Sequence, residues 1–254
     1  EGVGPDGASN WAARWPAMRQ IIDTAAFDVL CLQEVEEALL EQIVADLGAA
    51  YSAHYFKHAS RPPDGVMIAV RSDAFGGDIA RSEVQDGGAV AFGRVDLTHL
   101  ATGRRIRVIT AHCRGGRQPQ LEALAAFGDE GEGSDVTVIA GDFNEDFHSE
   151  DRAVVRCPFP ETLGEYRTLL RGELPALSRP PHKQAEDQSS GKGKVDYIFV
   201  RGARGRCCVE LFRDEASSAA ILSSHAACVE TGQWPSDHGA EALSFRMGPG
   251  SDAP

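Results

Sequence analysis

Residues 136–144 read Val-Thr-Val-Ile-Ala-Gly-Asp-Phe-Asn. The first five are β-branched or small, the composition of a buried strand rather than of a helix. Gly141 breaks the run, and Asp142 and Asn144 follow two positions apart. In an extended segment that spacing sends both side chains to one side. A carboxylate and an amide oxygen on one side suit a hard cation or a positioned water. The Gly-Asp-x-Asn composition fits an Asx turn equally well. This stretch therefore reads as a buried strand with polar atoms at its end, and the chain repeats that plan on either side of it.

Asp28 to Gln33 (DVLCLQ) is a second short apolar run, closed by Gln33-Glu34-Val35. Glu34 there projects from a sheet edge into a cleft, or is an ordinary surface carboxylate. Arg105 to His112 (RIRVITAH) alternates Ile106, Val108 and Thr110 against Arg105, Arg107 and Ile109, which predicts a strand covering one face. His112 at its end is a hydrogen-bonded structural histidine or a phosphate-facing one. The Arg114-Gly115-Gly116-Arg117 run after it is a phosphate-facing loop or a solvated turn. Asp196 sits in the apolar run Lys194 to Ile198, where burial demands a partner unless it opens the strand and bonds its own backbone. Pro235 to Gly239 (PSDHG) sets Asp237 beside His238. Adjacent side chains project differently, so one can hold a metal while the other faces substrate, with a distant carboxylate fixing the imidazole tautomer. A turn with a solvated histidine is the alternative.

The remaining pattern frames these features. Helices are predicted from a Ser9 or Asn10 cap through Trp11, Met18 and Ile22, over 36–47 with Gly48 as the stop, and over 118–127. Further strands are predicted over 51–56, 66–71, 89–97, 195–200, 208–212 and 240–245. Residues 178–194, rich in Pro, Ser, Gly and Lys without periodicity, read as a mobile loop. Many strands with interspersed helices mean α/β or α+β layering. At 254 residues the chain is read as one domain, 1–254, large enough to bury a core without staples. A hydrophobic share of 42% with 25% charged residues excludes disordered, collagen-like and coiled-coil proteins.

The net charge is -13, from 25 Lys and Arg against 38 Asp and Glu. That disfavours a clamp on duplex DNA, whose affinity comes from cationic side chains on phosphates. It does not disfavour phosphate chemistry, because acidic clusters hold divalent cations that then face the phosphate. The six cysteines form no CxxC, so zinc-ribbon and thioredoxin readings fail. Scattered in apolar runs, they point to reduced core thiols and a reducing compartment, cytoplasm or nucleus.

Taken in order, LQEV, GDFNE, VDYIFV and PSDHG resemble the endonuclease/exonuclease/phosphatase superfamily, the type I deoxyribonuclease-like group, from about Trp11 to Phe245. The resemblance implies an α/β four-layer sandwich of two mixed β-sheets flanked by helices, with the site at their common edge. It also implies a first strand carrying a metal-site Asn ahead of Glu1, a role Asn10 does not fill. Residue by residue, Glu34 matches the Mg²⁺ (or Mn²⁺) ligand. Asp142 matches the residue that orients or deprotonates the attacking water beside the metal. Asn144 matches the amide that contacts phosphate or a second metal, and Asp237 the carboxylate assisting the metal. His238 matches the imidazole on the phosphoryl oxygen, Asp196 the carboxylate orienting it, and His112 a phosphate-stabilising group.

Within the superfamily, Asp64 to Ile68, LQEVE, GKVDYIF with PSDH, and Gln120 resemble the deadenylase and nocturnin-like branch. The SDH-Gly ending is shared with the tyrosyl-DNA phosphodiesterase branch. Phe56, Lys57, His58 and Arg61 are rim contacts or a solvated loop. The expected activity is a Mg²⁺-dependent phosphodiester hydrolase, a 3′ exoribonuclease in its sharpest form. The alternatives are a phosphomonoesterase on a small phosphorylated metabolite or inositol phosphate, a tyrosyl-DNA phosphodiesterase-like repair enzyme, and a non-catalytic binding module. The expected partner is single-stranded nucleic acid or a small phosphate ester, bound by a monomer with no membrane span.

Overall fold

The computed structural model describes residues 11–59, 64–85, 90–114, 118–131, 133–147, 155–159, 166, 168, 196–203, 206–212, 214–215, 218–220 and 242–249. The chain forms two compact units. One comprises Glu1–Phe27, Leu169–Gly193 and Phe212–Ser244; the other comprises Asp28–Thr168, Lys194–Leu211 and Phe245–Pro254. In the first unit, helix α1 (Trp11–Ala25) is described. Trp11 and Trp15 stack along it at 5.1 Å, and Arg19 pairs with Asp23 one turn on. The expected Ser9 or Asn10 cap and the 178–194 loop lie outside the described residues.

The second unit carries the sheets. Strand β1 (Val29–Glu36) is followed by a 3₁₀ turn, Glu37–Leu39, and helix α2 (Leu40–Leu47). Gly48 ends that helix at φ +62°, a conformation that costs glycine little. Strands β2 (Tyr51–Lys57) and β3 (Asp64–Arg71) come next, and β1-β3-β2 form a three-stranded antiparallel sheet. A five-stranded sheet has the order β4-β5-β6-β7-β8. Its strands are β4 (Phe75–Gln85), β5 (Val90–His99), β6 (Arg105–His112), β7 (Val136–Asp142) and β8 (Asp196–Gly202). It is mixed: β6 and β7 are parallel, joined through helix α3 (Gln118–Asp129), and the other pairs are antiparallel. Strands β9 (Cys207–Phe212) and β10 (Ser244–Pro249) form a two-stranded ribbon.

The two larger sheets pack face to face, β1, β2 and β3 against β5, β6 and β7. Between them β3 is sealed on both faces, with Val66, Met67, Ile68, Ala69 and Val70 all buried. Gly93 permits the close approach, because a Cβ there would sit 2.1 Å from a carbon of the Phe56 ring. On the other face of the five-stranded sheet, Leu121, Leu124 and Phe127 of α3 pack with Phe92, Ile109, Ile139 and Phe199. Each such side chain contributes about 1.5–3 kcal/mol of burial. The architecture is α/β, two packed sheets with helices outside them.

Several elements differ from the sequence reading. Strand β6 has the expected bounds but is buried on both faces, not one. Arg107 breaks the apolar alternation yet is 2% exposed, because a carboxylate and a carbonyl meet its guanidinium. Strand β4 had no apolar signature: Gly76, Gly77 and charged residues suit an edge strand with solvent on one side. The last strand begins at Ser244, later than expected, and runs on through Gly248. In α2, Ile43 and Leu47 face the core while Val44 stays exposed. Among the described residues no helix is long and apolar enough to cross a membrane.

Candidate active site

The strand ends converge. His112 closes β6, Asp142 closes β7 and Asp196 opens β8. The register pairs Asp142 with His112 on one side and with Asp196 on the other, so three candidate site residues sit in one row across the sheet. Gly141 lets β6 and β7 come together just before that row, since a Cβ on it would lie 2.0 Å from the Ala111 carbonyl oxygen.

Glu34 reaches the row from the facing sheet. The sequence reading ended β1 at Gln33-Glu34-Val35, but the strand runs on to Glu36 through a register shift between Leu32 and Val35. Such a bulge re-aims a side chain. Glu34 takes φ 55° within it, a left-handed conformation uncommon for a non-glycine residue. Its neighbour Gln33 donates from Nε2 to the Thr110 hydroxyl at 2.9 Å, tying the bulge to β6 two residues before His112. His112 Nε2 lies 3.9 Å from Glu34 Oε1 and 3.7 Å from Asp142 Oδ2. Both separations exceed hydrogen-bond length but lie within ion-pair reach. The Glu34 side chain is 60% exposed and that of Asp142 7% exposed, an open rim over a buried floor.

Asn144 arrives by a turn, not along an extended strand. Strand β7 stops at Asp142, and Asn144 takes φ 51°. Its backbone N–H donates to Asp142 Oδ1 at 2.7 Å, the Asx turn its composition allowed. Its side-chain Nδ2 donates to the Cys113 carbonyl at 2.8 Å. One oxygen of Asp142 is thereby committed to the loop, and the other faces His112. The loop is pegged by Phe143, fully buried edge-to-face against Phe199 at 5.7 Å. Tyr197 completes the support: its hydroxyl donates to Asp146 Oδ1 at 3.0 Å and accepts from the Phe147 N–H at 2.9 Å. Sequence reading missed Phe143 and Tyr197 as supports. Their signal was an aromatic residue next to each candidate carboxylate.

The buried Gln120 accepts the Arg114 N–H at 3.0 Å and so holds the start of the segment after His112. Residues 115–117 lie outside the described residues, as do Asp237 and His238. Of the expected rim residues, Phe56 and His58 are buried and Lys57 pairs with Glu37, while Arg61 is outside the described residues. Polar, proline-bearing neighbours suggested exposure for Phe56 and His58; packing between the sheets decides otherwise. Cys113 follows His112 directly, but burial, with the charge of Asp142, pushes its thiol up to about 12. It stays protonated near neutral pH and is no nucleophile. The five described cysteines are free thiols.

Two carboxylates, an amide and an imidazole at the edge of two packed sheets define a phosphoester hydrolase. The profile of the Endonuclease/Exonuclease/phosphatase family matches residues 6–238, and the chain belongs to that family. It is accordingly an enzyme of phosphodiesterase or phosphatase type, and the family's chemistry uses a divalent metal. No curated protein sequence matches the chain at a significant level.

Solved structures share the fold at low identity. An endonuclease/exonuclease/phosphatase from Bacteroides vulgatus is 17% identical, with a TM-score of 0.61 over 96% of this chain and 93% of its own. TDP2 of D. rerio, humanized by 14 mutations, is 16% identical, with a TM-score of 0.60 over 91% of this chain and 90% of its own. The human Nocturnin catalytic domain, solved with a bound sulfate anion, is 16% identical, with a TM-score of 0.56 over 94% of this chain and 88% of its own.

The described residues contain no group of three or more His, Cys, Asp or Glu side chains arranged to hold a metal. The donor set still fits Mg²⁺. That ion keeps several waters and is bound through one or two carboxylates plus substrate phosphate rather than by an all-protein cage.

Proposed function

We propose that the chain is a Mg²⁺-dependent phosphodiesterase that shortens single-stranded nucleic acid, in its sharpest form a 3′ exoribonuclease. The observation that carries the reading is the gathering of Glu34, His112 and Asp142 at 3.7–3.9 Å around a rim open to solvent. Two carboxylates that close to one imidazole at an open rim suit a cation and an anion bound between them. Glu34, with Asp142 beside it, would hold the metal. When bound, a divalent cation neutralises phosphate charge and lowers the pKa of a coordinated water.

The chain's own groups divide the remaining work. Asp142 Oδ2 orients the attacking water and takes its proton as the new oxygen–phosphorus bond forms and the bond to the leaving oxygen breaks. His112 faces the developing negative charge on a phosphoryl oxygen, and Asn144 contacts a second one. Asp196 stands in the same row; for Asp237 and His238, outside the described residues, the family resemblance supplies the roles of metal-assisting carboxylate and phosphate-facing imidazole. The net charge of -13 favours a substrate with fewer phosphates to grip than a duplex offers. Free thiols at half-buried Cys31 and at buried Cys113 and Cys207 favour a reducing compartment as the place of action.

The test is hydrolysis by the chain with Mg²⁺ and with EDTA. The panel holds a poly(A) oligonucleotide, an abasic duplex, a 5′-tyrosyl oligonucleotide and an inositol polyphosphate. Stepwise, EDTA-sensitive shortening of the oligonucleotide from its 3′ end is the expected result. Release of inorganic phosphate from the inositol polyphosphate, with the oligonucleotide intact, replaces the reading by a phosphomonoesterase. EDTA-sensitive cleavage of the tyrosyl bond alone replaces it by a repair phosphodiesterase.

A further inference from the structure

One buried ionisable pair has no part in the chemistry above. His58 is 3% exposed and follows β2; Asp64, also buried, opens β3. His58 Nδ1 lies 2.7 Å from Asp64 Oδ1. Its other ring nitrogen, Nε2, is buried with no hydrogen-bond partner among the described residues. The His58 ring lies beside that of His112, with centroids 6.3 Å apart and planes inclined by 49°.

The imidazole is not needed to close the link between β2 and β3. The backbone does that, His58 N–H donating to the Asp64 carbonyl at 3.1 Å. An apolar side chain would fill the space without burying an unmet nitrogen, which is costly. Asp64 fixes the proton of a neutral His58 ring on Nδ1 and leaves Nε2 as a lone-pair acceptor. The neighbouring ring is His112, whose Nε2 is turned toward Glu34 and Asp142.

We propose that His58, oriented by Asp64, is a positioning residue for His112. One ordered water donates to both His58 Nε2 and His112 Nδ1, keeping the His112 proton on Nε2 and that nitrogen toward the site. The proposal rests on the reading of His112 as the phosphate-facing imidazole. It requires that a neutral His58 carry its proton on Nδ1 and that removing His58 Nε2 disturb His112 without unfolding the chain.

The test uses ¹⁵N-labelled protein and two substitutions. His58→Asn keeps a donor for Asp64 but removes the Nε2 position. His58→Gln loses the Asp64 contact but returns an amide near the Nε2 position. In the unaltered chain, the ring ¹⁵N signals of His58 are expected to show Nδ1 protonated and Nε2 bare; a proton on Nε2 of the neutral ring overturns the proposal. In His58→Asn the His112 ring signals are expected to shift. With oligonucleotide substrate, kcat is expected to fall about 10-fold while KM holds. His58→Gln is expected to recover part of both effects despite lower stability. Unchanged His112 signals and kcat in a folded His58→Asn variant reject the positioning role. The ring signals need no substrate, so they decide the matter even if the oligonucleotide is not cleaved.

Discussion

Strand β6 carries charged groups near both ends, and the two ends treat them in opposite ways. Near its start, Arg107 Nε donates to Asp96 Oδ1 at 2.6 Å, and Arg94 NH2 donates to Asp96 Oδ2 at 2.6 Å. The same guanidinium groups reach the end of α3, Arg94 to the Phe127 carbonyl at 2.9 Å and Arg107 to the Gly128 carbonyl at 2.6 Å. At the strand's other end, His112 stands 3.7 and 3.9 Å from two carboxylates. Glu34 and Asn144 beside it hold left-handed backbone conformations. A closed network rigidifies and fixes one packing arrangement. The other end is held by left-handed backbone and aromatic pegs and leaves the Glu34 carboxylate facing solvent. The two ends also differ in charge and burial: two shut-away cations share one carboxylate at the start, whereas two carboxylates, one of them 60% exposed, flank one imidazole at the end.

The sharpest way to break this contrast is Asp142→Asn. The amide oxygen still accepts the Asn144 N–H, so melting temperature should barely move. Loss of the proton-accepting oxygen should cut kcat by about 10² to 10⁴. Steady-state kinetics alongside thermal melts checks this, and a variant that melts early but works normally per folded molecule refutes it. At the other end, Asp96→Ala leaves two buried guanidinium groups without their shared carboxylate. The expected loss is about 3–5 kcal/mol in urea unfolding, with kcat per folded molecule preserved. A loss of activity without loss of stability there would erase the distinction.

Acid titration sharpens the comparison at smaller amplitude. Burial pushes the Asp96 carboxyl up, but hydrogen bonds from Arg94 and Arg107, with their charges, outweigh it and hold it below the usual carboxylate range. The unfolded chain therefore takes up this proton at higher pH than the folded one. The stabilisation is fully present above the unfolded value of about 3.9 and is lost as pH falls through the lower folded value. Unfolding free energy measured from pH 6 downward should drop more steeply in the parent than in Asp96→Asn. Glu34→Gly tests the strained bulge and carries the smallest effect. Relief of the left-handed conformation should stabilise the fold by about 1 kcal/mol while hydrolysis is lost. Destabilisation by the glycine would mean that the bulge is not held against a backbone preference.

The legible part of the fold follows from burial. Strand β6 begins and ends where RIRVITAH does, and VTVIA lies within β7. Edge strand β4 was illegible, because solvent on one side removes the apolar run by which strands are read. The site was half legible. Asp142, His112 and Asp196 stand at strand ends, and a strand end shows in sequence as a polar residue after an apolar run. Asn144 hinted at its left-handed turn, since Asn tolerates that conformation; Glu34 gave no such hint. His58 reads as a rim contact or part of a solvated loop, yet the structure buries it against Asp64.

The sequence by itself determined most of the succession of strands, the α/β class, the acidic charge and the candidates for phosphate chemistry. These follow from local periodicity and composition, which need only neighbours along the chain. Tertiary structure alone decided that Glu34 crosses from the facing sheet to within 3.9 Å of His112. It also decided that Arg94 and Arg107 are buried as a closed cluster with Asp96. Both depend on strand register and on the packing of one sheet on another. Those bring together groups dozens of residues apart, and no local pattern encodes that separation.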